Sequence, residues 1–317
     1  MGVKDTVFAS KAEKKNFSKL GRVWKKDYTL YHNIPFLNIL TLDDLVDFSD
    51  WKNPEPISLS EAEIDALKHA SIDYVLCDSE DSPLLAIEFD GLQDGFSVGT
   101  DYYTGQVSGR QTPWRREKTE LKLKVAHGSH FPLFVVGSEH FKDITPHSNL
   151  TIVDGVIGSV FSSTATQKEI SKGFRPETMG ISQEEFDNLS TDEQHDVIQD
   201  WVIGVEADIE LENNPVSRLR AKEVYRLNVT RSQTEYLQYP AIPKDFSLDE
   251  RAKLFRGTLL QGARVTFFTS VHGDIVGEAW VPNFNVVGYS PIGLAEDIAA
   301  LLALDKLRQE MGYAPAT

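Results

Sequence analysis

The sequence predicts a mixed α/β (α+β) protein with more than one domain, and three observations support this class. The chain has 317 residues, which is more than a single hydrophobic core usually organises. Residues 72–136 carry the pattern strand, strand, helix, strand, and residues 247–312 carry a second mixture of helix and strand patterns. Residues 182–203, between them, carry helix-start signals. We therefore predict a mixed sheet flanked by helices, and a separate C-terminal unit.

The N-terminal residues 1–26 are strongly basic. They contain eight Lys or Arg residues and only two acids, Asp5 and Glu13. Such a segment can steer a phosphate backbone by its charge, or it can be a disordered, solvated terminus. We predict a basic arm here, followed by a larger domain over residues 27–165.

A helix and two strands begin the core of that larger domain. Ser60 and Glu63 form a capping box, which predicts a helix start. The two apolar strands that follow, IDYVLC and LLAIEF, are separated by a polar turn centred near Glu80 and Asp81. A turn at that point predicts that the two strands pair antiparallel.

Both strands carry carboxylates, Asp73 in the first and Glu88 and Asp90 in the second. Antiparallel pairing about the turn places Asp73 opposite Glu88, with roughly 5 Å between the Cβ atoms. Two carboxylates at this spacing repel each other, and burial penalises both charges. Mg²⁺ (or Mn²⁺) removes this conflict, since it prefers a few carboxylates together with waters and phosphates. The strands therefore predict a metal site; the alternative is that the acids face solvent on a half-exposed sheet.

The next element supplies cations. Thr112 suits the N-cap of a helix and Pro113 its first position, and Lys118 and Lys122 then lie one turn apart on one face. The apolar run FPLFVV that follows predicts a buried strand. Other cations of this basic helix are predicted to contact nucleic acid, and they are Arg115, Arg116 and Lys124.

Residues 58–138 resemble the PD-(D/E)XK nuclease superfamily, most closely the branch near the very-short-patch-repair endonucleases. Asp73 matches the first acid of the pattern, Glu88 matches the second, and Asp90–Gly91 matches the DG pair that follows. These motifs are short and cover under a third of the chain.

Two lysines compete for the helix lysine of the family pattern. Lys122 matches the helix lysine when FPL is aligned with the last strand of the family, and Lys118 is the competing match. Glu63 is the nearest candidate for the glutamate that the superfamily often carries on its first helix. There are two departures, because Gln93–Asp94 occupies the neighbourhood of the family's histidine and Asp90 stands where the commonest pattern has a lysine.

The resemblance implies a restriction-endonuclease-like fold and a metal-dependent endonuclease. Asp73, Glu88 and Glu63 would hold Mg²⁺ or Mn²⁺, Asp90 would act through a water or as a base, and Lys122 would stabilise charge on the phosphate. The implied substrate is nucleic acid, DNA ahead of RNA, and the implied process is DNA repair or phage defence. The alternative is a non-catalytic protein-binding or assembly module that keeps a degenerate nuclease fold.

Residues 166–216 predict an acidic helical segment. Within it, residues 181–216 contain eleven acids and no Lys or Arg, and capping boxes begin at Ser182 and Ser190. This segment is either a surface for a protein partner or a soluble helical insert, and it should repel DNA. The apolar residues 149–161, which precede it, predict a further strand.

The C-terminal residues 217–317 predict a separate α-β-β-β-α unit. Its parts are a helix capped by Ser247, a hairpin over residues 264–281, a third strand at residues 284–289, and an Ala/Leu-rich helix from Pro291. This order resembles the double-stranded-RNA-binding domain. That family grips phosphates with lysines at the start of its last helix, where this chain has acids. We therefore predict a contact with a protein partner, or a homodimer, ahead of RNA binding.

Composition limits the class of protein further. No apolar run approaches the roughly 18 residues that span a bilayer, so we expect no membrane association and no signal peptide. The single cysteine, Cys77, cannot form an internal disulfide, which favours a reducing, cytoplasmic location. The formal net charge of −16 is unusual for a protein that binds nucleic acid.

Overall fold

The computed structural model describes residues 8, 10–47, 53–91, 113–239, 260–284 and 286–313. They form a mixed α/β protein in which helices flank a four-stranded mixed sheet. In chain order, the elements up to the last strand of that sheet are α1 (Lys11–Trp24), β1 (Thr29–Pro35), β2 (Val46–Asp47), β3 (Glu55–Pro56), α2 (Glu61–Lys68), β4 (Ser71–Cys77), β5 (Pro83–Asp90), α3 (Pro113–Gly128) and β6 (Leu133–Gly137). The short strands β2 and β3 pair with each other in a separate two-stranded sheet.

The central sheet has the strand order β1-β4-β5-β6. Its first three strands are antiparallel, and β6 runs parallel to β5 after the crossover through α3. The predicted register of β4 and β5 is confirmed, since Tyr74 pairs with Ile87 and Val75 pairs with Ala86 across a turn at residues 78–82. The observed pairs end at Tyr74–Ile87, and the same register continued by one residue places Asp73 opposite Glu88.

The prediction of a basic arm is wrong for residues 11–24, which form helix α1. Ser10 accepts a hydrogen bond from the Glu13 amide and begins the helix, and Leu20 and Trp24 are buried on its inner face. Trp24 Nε1 donates to Asp154 Oδ1 at 2.9 Å. The other lysines and the arginine of this helix are exposed on its outer face, whereas Lys19 is half-buried and donates to the Phe141 carbonyl oxygen at 2.7 Å. The basic residues therefore belong to an amphipathic helix that packs on the protein. Residues 1–7 and 9 of the predicted arm lie outside the described part of the chain.

Residues 149–161 do not form the predicted strand, because most of them belong to helix α4 (Ile152–Ile170). Thr151 and Asp154 form a capping box that begins this helix, with the Thr151 amide donating to Asp154 Oδ2 at 2.8 Å. Neighbouring elements cover α4 on several sides, and Gly155 and Gly158 permit their close approach. A helix that is apolar around much of its circumference has no amphipathic pattern, so its sequence is easily confused with a buried strand.

The acidic segment is helical, as predicted. Its elements are α5 (Gln183–Asp187), α6 (Thr191–Asn213) and α7 (Pro215–Arg226). Ser182 and Ser190 each begin a helix through a capping box with the glutamate three residues later. Asn214 ends α6, and its side chain caps α7 by accepting from the Val216 amide at 3.0 Å.

The C-terminal elements are β7 (Ser232–Tyr239), β8 (Leu260–Thr269), β9 (Gly273–Pro282) and α8 (Pro291–Glu310). The hairpin of β8 with β9 and the final helix are confirmed, and β7 completes an antiparallel sheet in the order β7-β8-β9. The predicted third strand at residues 284–289 is wrong, since the described residues of that range are not in a strand. The predicted helix from Ser247 falls mainly outside the described residues, and its end at residues 260–262 belongs to β8.

The C-terminal elements pack directly against the central sheet and helix α4. The Phe284 ring packs against Phe134 of β6, with 5.5 Å between the ring centroids. Leu294 of α8 fills the space beside Gly155 of α4. The buried residues of both regions form one hydrophobic cluster, and the boundary at residue 217 stays a prediction.

Gly277 provides a test of how α8 packs on the C-terminal sheet. A Cβ at this position would overlap the Ala299 carbonyl oxygen and approach the Ala303 amide nitrogen to 2.7 Å. We expect Gly277→Ala to lower the free energy of unfolding by about 3 kcal/mol, because the obstructing atoms are helix backbone. Gly204→Ala is the matched control, since a Cβ there on α6 meets nothing within 4 Å. Urea unfolding should show Gly204→Ala to be neutral or slightly stabilising; equal effects of the two changes would contradict this packing.

Candidate active site

One face of the central sheet and helix α3 enclose a cleft of about 270 Å³. Six residues that the sequence predicts as site residues line it, namely Asp73, Glu88, Asp90, Arg115, Lys118 and Lys122. The carboxylates come from adjacent strands, and the cations come from successive turns of one helix. The cleft therefore combines three acids with three bases in a small volume.

Asp73 lies on β4 and is half-buried on the cleft side of the sheet. Its Oδ2 accepts a hydrogen bond from the Phe89 amide at 2.8 Å, which ties the carboxylate to strand β5. Burial raises the pKa of Asp73, and the negative charge of Glu13 adds to this, while the Phe89 hydrogen bond and the positive charge of Lys122 oppose it.

Glu88 and Lys122 form a buried ion pair. Lys122 Nζ donates to Glu88 Oε1 at 2.6 Å and to the Ser71 carbonyl oxygen at 2.7 Å. Desolvation raises the pKa of Glu88 to about 7, with a further increase from Asp73, although the charge and hydrogen bond of Lys122 act in the opposite direction. Glu88 is therefore a carboxyl group whose ionisation is costly even with a lysine beside it.

Three side chains of the first two turns of α3 form one wall of the cleft. Lys118 Nζ donates to the His69 carbonyl oxygen at 2.9 Å and lies 5.2 Å from the centroid of the Trp114 ring. Burial lowers the pKa of Lys118, the positive charge of Lys122 lowers it further, and Glu88 raises it. Arg115 is half-buried beside them. Asp90, at the end of β5, is buried and lines the cleft on the side formed by the sheet.

The structure does not bring Glu63 and Lys124 into the cleft, so their assignment to the site is corrected. Glu63 Oε2 accepts from the Ser60 amide at 2.8 Å as the cap of α2, and this hydrogen bond lowers the pKa of Glu63. Lys124 is exposed and lies 3.4 Å from Glu63 Oε1. Arg116 belongs to α3, but its side chain lies outside the described part, as do Thr112 and Gln93–Asp94.

Sequence reasoning missed two contributors to the surroundings of the cleft. Glu13 of α1 is buried, and its Oε1 lies 2.6 Å from His32 Nε2. The Glu13 charge acts on Asp73, and the capping box with Ser10 was the signal that a helix carries this acid. Trp114 lines the cleft although its side chain is largely exposed, and no sequence pattern indicated this.

The ligand set predicted for a metal is only partly assembled. In the described ranges, no group of three or more His, Cys, Asp or Glu side chains is arranged to hold a metal ion. Asp73 and Glu88 remain as a pair on neighbouring strands, and one or two carboxylates completed by waters and substrate phosphate are what Mg²⁺ commonly uses. The residue types fit such an ion, provided that Glu88 exchanges its lysine partner for the metal.

The raised pKa of Glu88 predicts a pH dependence of stability. The pKa of Glu88 in the folded protein is about 7, above the usual 4.5. Between pH 4.5 and 7 the folded protein therefore binds a proton that the unfolded chain releases. The associated stability is complete below about pH 4.5 and is lost as the pH rises through 7, by on the order of 3 kcal/mol at 1.36 kcal/mol per pKa unit.

Glu88→Gln keeps an oxygen acceptor for Lys122 and should remove this pH dependence. Urea unfolding of both proteins from pH 4.5 to 8 measures the difference in the free energy of unfolding. We expect the wild-type protein to lose stability relative to the variant as the pH rises. A difference that stays constant over this range would contradict the assigned burial of the carboxyl group.

Comparison with protein-family models, with curated proteins and with solved structures gave no match to this chain. Among the helices that are described, none has both the length and the apolar character needed to cross a membrane.

Proposed function

We propose that the protein is a metal-dependent nuclease that hydrolyses phosphodiester bonds in nucleic acid, DNA ahead of RNA. The observation that carries the proposal is the convergence in one cleft of Asp73 and Glu88, from neighbouring strands, with Lys122 from the helix that crosses the sheet. Carboxylates beside a lysine, with further cations at the rim, are suited to a phosphate ester and a divalent ion.

The order of elements around the cleft supports the proposal. Two antiparallel strands carry the acids, a helix carries the lysines, and a parallel strand returns to the sheet. This is the arrangement that the resemblance to the PD-(D/E)XK superfamily predicts, with the lysine on the helix. A restriction-endonuclease-like fold is therefore part of the proposal.

The roles of the residues follow from their positions. Asp73 and Glu88 would hold Mg²⁺ or Mn²⁺, which supplies Lewis acidity and an acidified water when bound. Lys122, released from Glu88, would place its ammonium group where charge develops on the phosphoryl oxygens. Lys118 and Arg115 would bind the phosphate at the rim. Asp90, on the cleft wall, would accept the proton of the attacking water.

The charge of the cleft is consistent with these roles. Three carboxylates and three cations line it, so the cleft itself is close to neutral in a chain whose net charge is −16. Addition of a divalent cation would make the cleft positive and attractive to phosphate. Nucleic acid should therefore bind much better in the presence of the metal than in its absence.

A cleavage assay tests the proposal. The purified protein is incubated with plasmid, linear duplex, single-stranded DNA and RNA in Mg²⁺, Mn²⁺, Ca²⁺ or EDTA. We expect cleavage of at least one substrate in Mg²⁺ or Mn²⁺ and none in EDTA. If every substrate stays intact in every metal, the protein is not a nuclease, even if it binds nucleic acid.

The ion pair of Glu88 with Lys122 favours a second candidate, a non-catalytic binding or assembly module. In this role the lysine replaces the metal permanently and the cleft keeps only its shape.

At the start of α8, Glu296 and Asp297 bind Arg220, and Glu296 also accepts a hydrogen bond from Tyr236, so these acids already have partners within the protein. A protein contact or a homodimer would then suit the C-terminal region better than RNA. Ca²⁺-stabilised binding of nucleic acid without cleavage in any metal would favour this candidate.

A further inference from the structure

Trp114 is a large apolar side chain that remains exposed at the cleft. The residue is 64 % exposed, yet it lines the same cleft as Asp73 and Glu88. Single exposed hydrophobic residues are common on protein surfaces, so exposure alone means little. Its position in the cleft that also holds Asp73 and Glu88 distinguishes this indole from the other exposed hydrophobic side chains.

The contacts of Trp114 indicate the chemistry of its ligand. Lys118 Nζ, 5.2 Å from the ring centroid, is itself held by the His69 carbonyl oxygen at 2.9 Å. Arg115 follows Trp114 in the chain and also lines the cleft. A flat aromatic surface next to two cations matches a nucleotide, since the base can stack on the ring while the phosphate pairs with the cations.

The net charge of the protein favours single-stranded over duplex nucleic acid as the ligand of the cleft. At a net charge of −16, contacts to phosphates alone provide little long-range attraction for nucleic acid. Stacking of a base on an aromatic ring adds affinity that depends little on salt, but a base inside a duplex has both faces occupied by its neighbours. The ring can therefore contribute only when a base is unpaired.

We propose that Trp114 stacks on an unpaired base beside the scissile phosphate, and that the cleft acts on single-stranded or unpaired segments of nucleic acid. This inference depends on the proposed nuclease function and specifies its substrate. Trp114 then sets specificity, whereas Asp73 and Glu88 carry the chemistry.

The test measures binding separately from cleavage. Fluorescence anisotropy in Ca²⁺ follows labelled oligothymidine and a blunt duplex of equal length, with wild-type protein and Trp114→Ala, Trp114→Phe and Trp280→Ala variants. Trp280 is the matched control, since it is a partly exposed tryptophan on β9 that does not line this cleft. Cleavage of both oligonucleotides in Mg²⁺ is measured in parallel.

We expect wild-type protein to bind the single strand more tightly than the duplex. Trp114→Ala should weaken single-strand binding on the order of 10- to 100-fold and leave duplex binding unchanged, while Trp114→Phe stays within a few-fold of wild type. Trp280→Ala should have no effect.

Two results would overturn the stacking role while the nuclease proposal survives. One is cleavage in Mg²⁺ with wild-type single-strand affinity in Trp114→Ala, and the other is an equal loss of single-strand and duplex binding in that variant. Absence of both binding and cleavage in the wild-type protein would instead remove the nuclease function, and the inference with it.

Discussion

Asp73→Asn is expected to reduce phosphodiester cleavage on the order of 10²- to 10³-fold or more, without destabilising the protein. The amide oxygen can still accept the Phe89 hydrogen bond, but it no longer provides a charged ligand. Because burial raises the pKa of Asp73, loss of its charge should leave stability unchanged or increase it. Single-turnover cleavage and urea unfolding of the same preparation measure the two effects.

Glu80→Gln is the matched control for this change. It removes one negative charge from the exposed turn of the same β4–β5 hairpin, away from the cleft. We expect the control to cleave at the wild-type rate. If Asp73→Asn and Glu80→Gln cleave equally well, Asp73 has no part in the chemistry and the proposed site is wrong.

Lys122→Met is expected to lower the free energy of unfolding by about 3–5 kcal/mol at pH 8. The substitution leaves Glu88 buried without its cation and removes the donor to the Ser71 carbonyl oxygen. Lys124→Met is the control on the same helix, because Lys124 is exposed and its ion pair with Glu63 is long. Its expected cost is below about 1 kcal/mol.

The double variant Lys122→Met with Glu88→Met tests whether the penalty arises from an unpaired charge. Replacement of both members of a buried ion pair by apolar residues is often neutral or stabilising, so stability should return to within about 1 kcal/mol of wild type. Cleavage should nevertheless remain abolished. If the stability loss of the double variant equals the sum of the losses of Lys122→Met and Glu88→Met, Lys122 contributes packing and not charge compensation.

The acid-bearing hairpin could be predicted because its determinants are local. The polar turn around Glu80 and Asp81 and the alternation along β4 and β5 specify one register. Continued by one residue past Tyr74–Ile87, that register places Asp73 opposite Glu88. The helix that carries the lysines could also be predicted from local sequence, since Lys118 and Lys122 are spaced one turn apart, and both line the cleft.

Features that depend on distant packing could not be predicted. Glu63 has a helical capping pattern identical in kind to that of Glu13, and only the placement of α1 against the sheet puts Glu13 near Asp73. Helix α4 has an apolar run that suits a strand equally well until its neighbours are known. The position of Trp114 at the cleft depends on how α3 lies on the sheet, which its sequence does not specify.

The most direct test of the account is anomalous diffraction from crystals soaked in Mn²⁺. We expect an anomalous peak within coordination distance of Asp73 and Glu88, with Lys122 Nζ moved away from Glu88 Oε1. Crystals of Asp73→Asn should lack the peak. A cleft without anomalous density, in which Lys122 keeps its contact with Glu88 at high Mn²⁺ concentration, would contradict the account and leave the non-catalytic module as the better description.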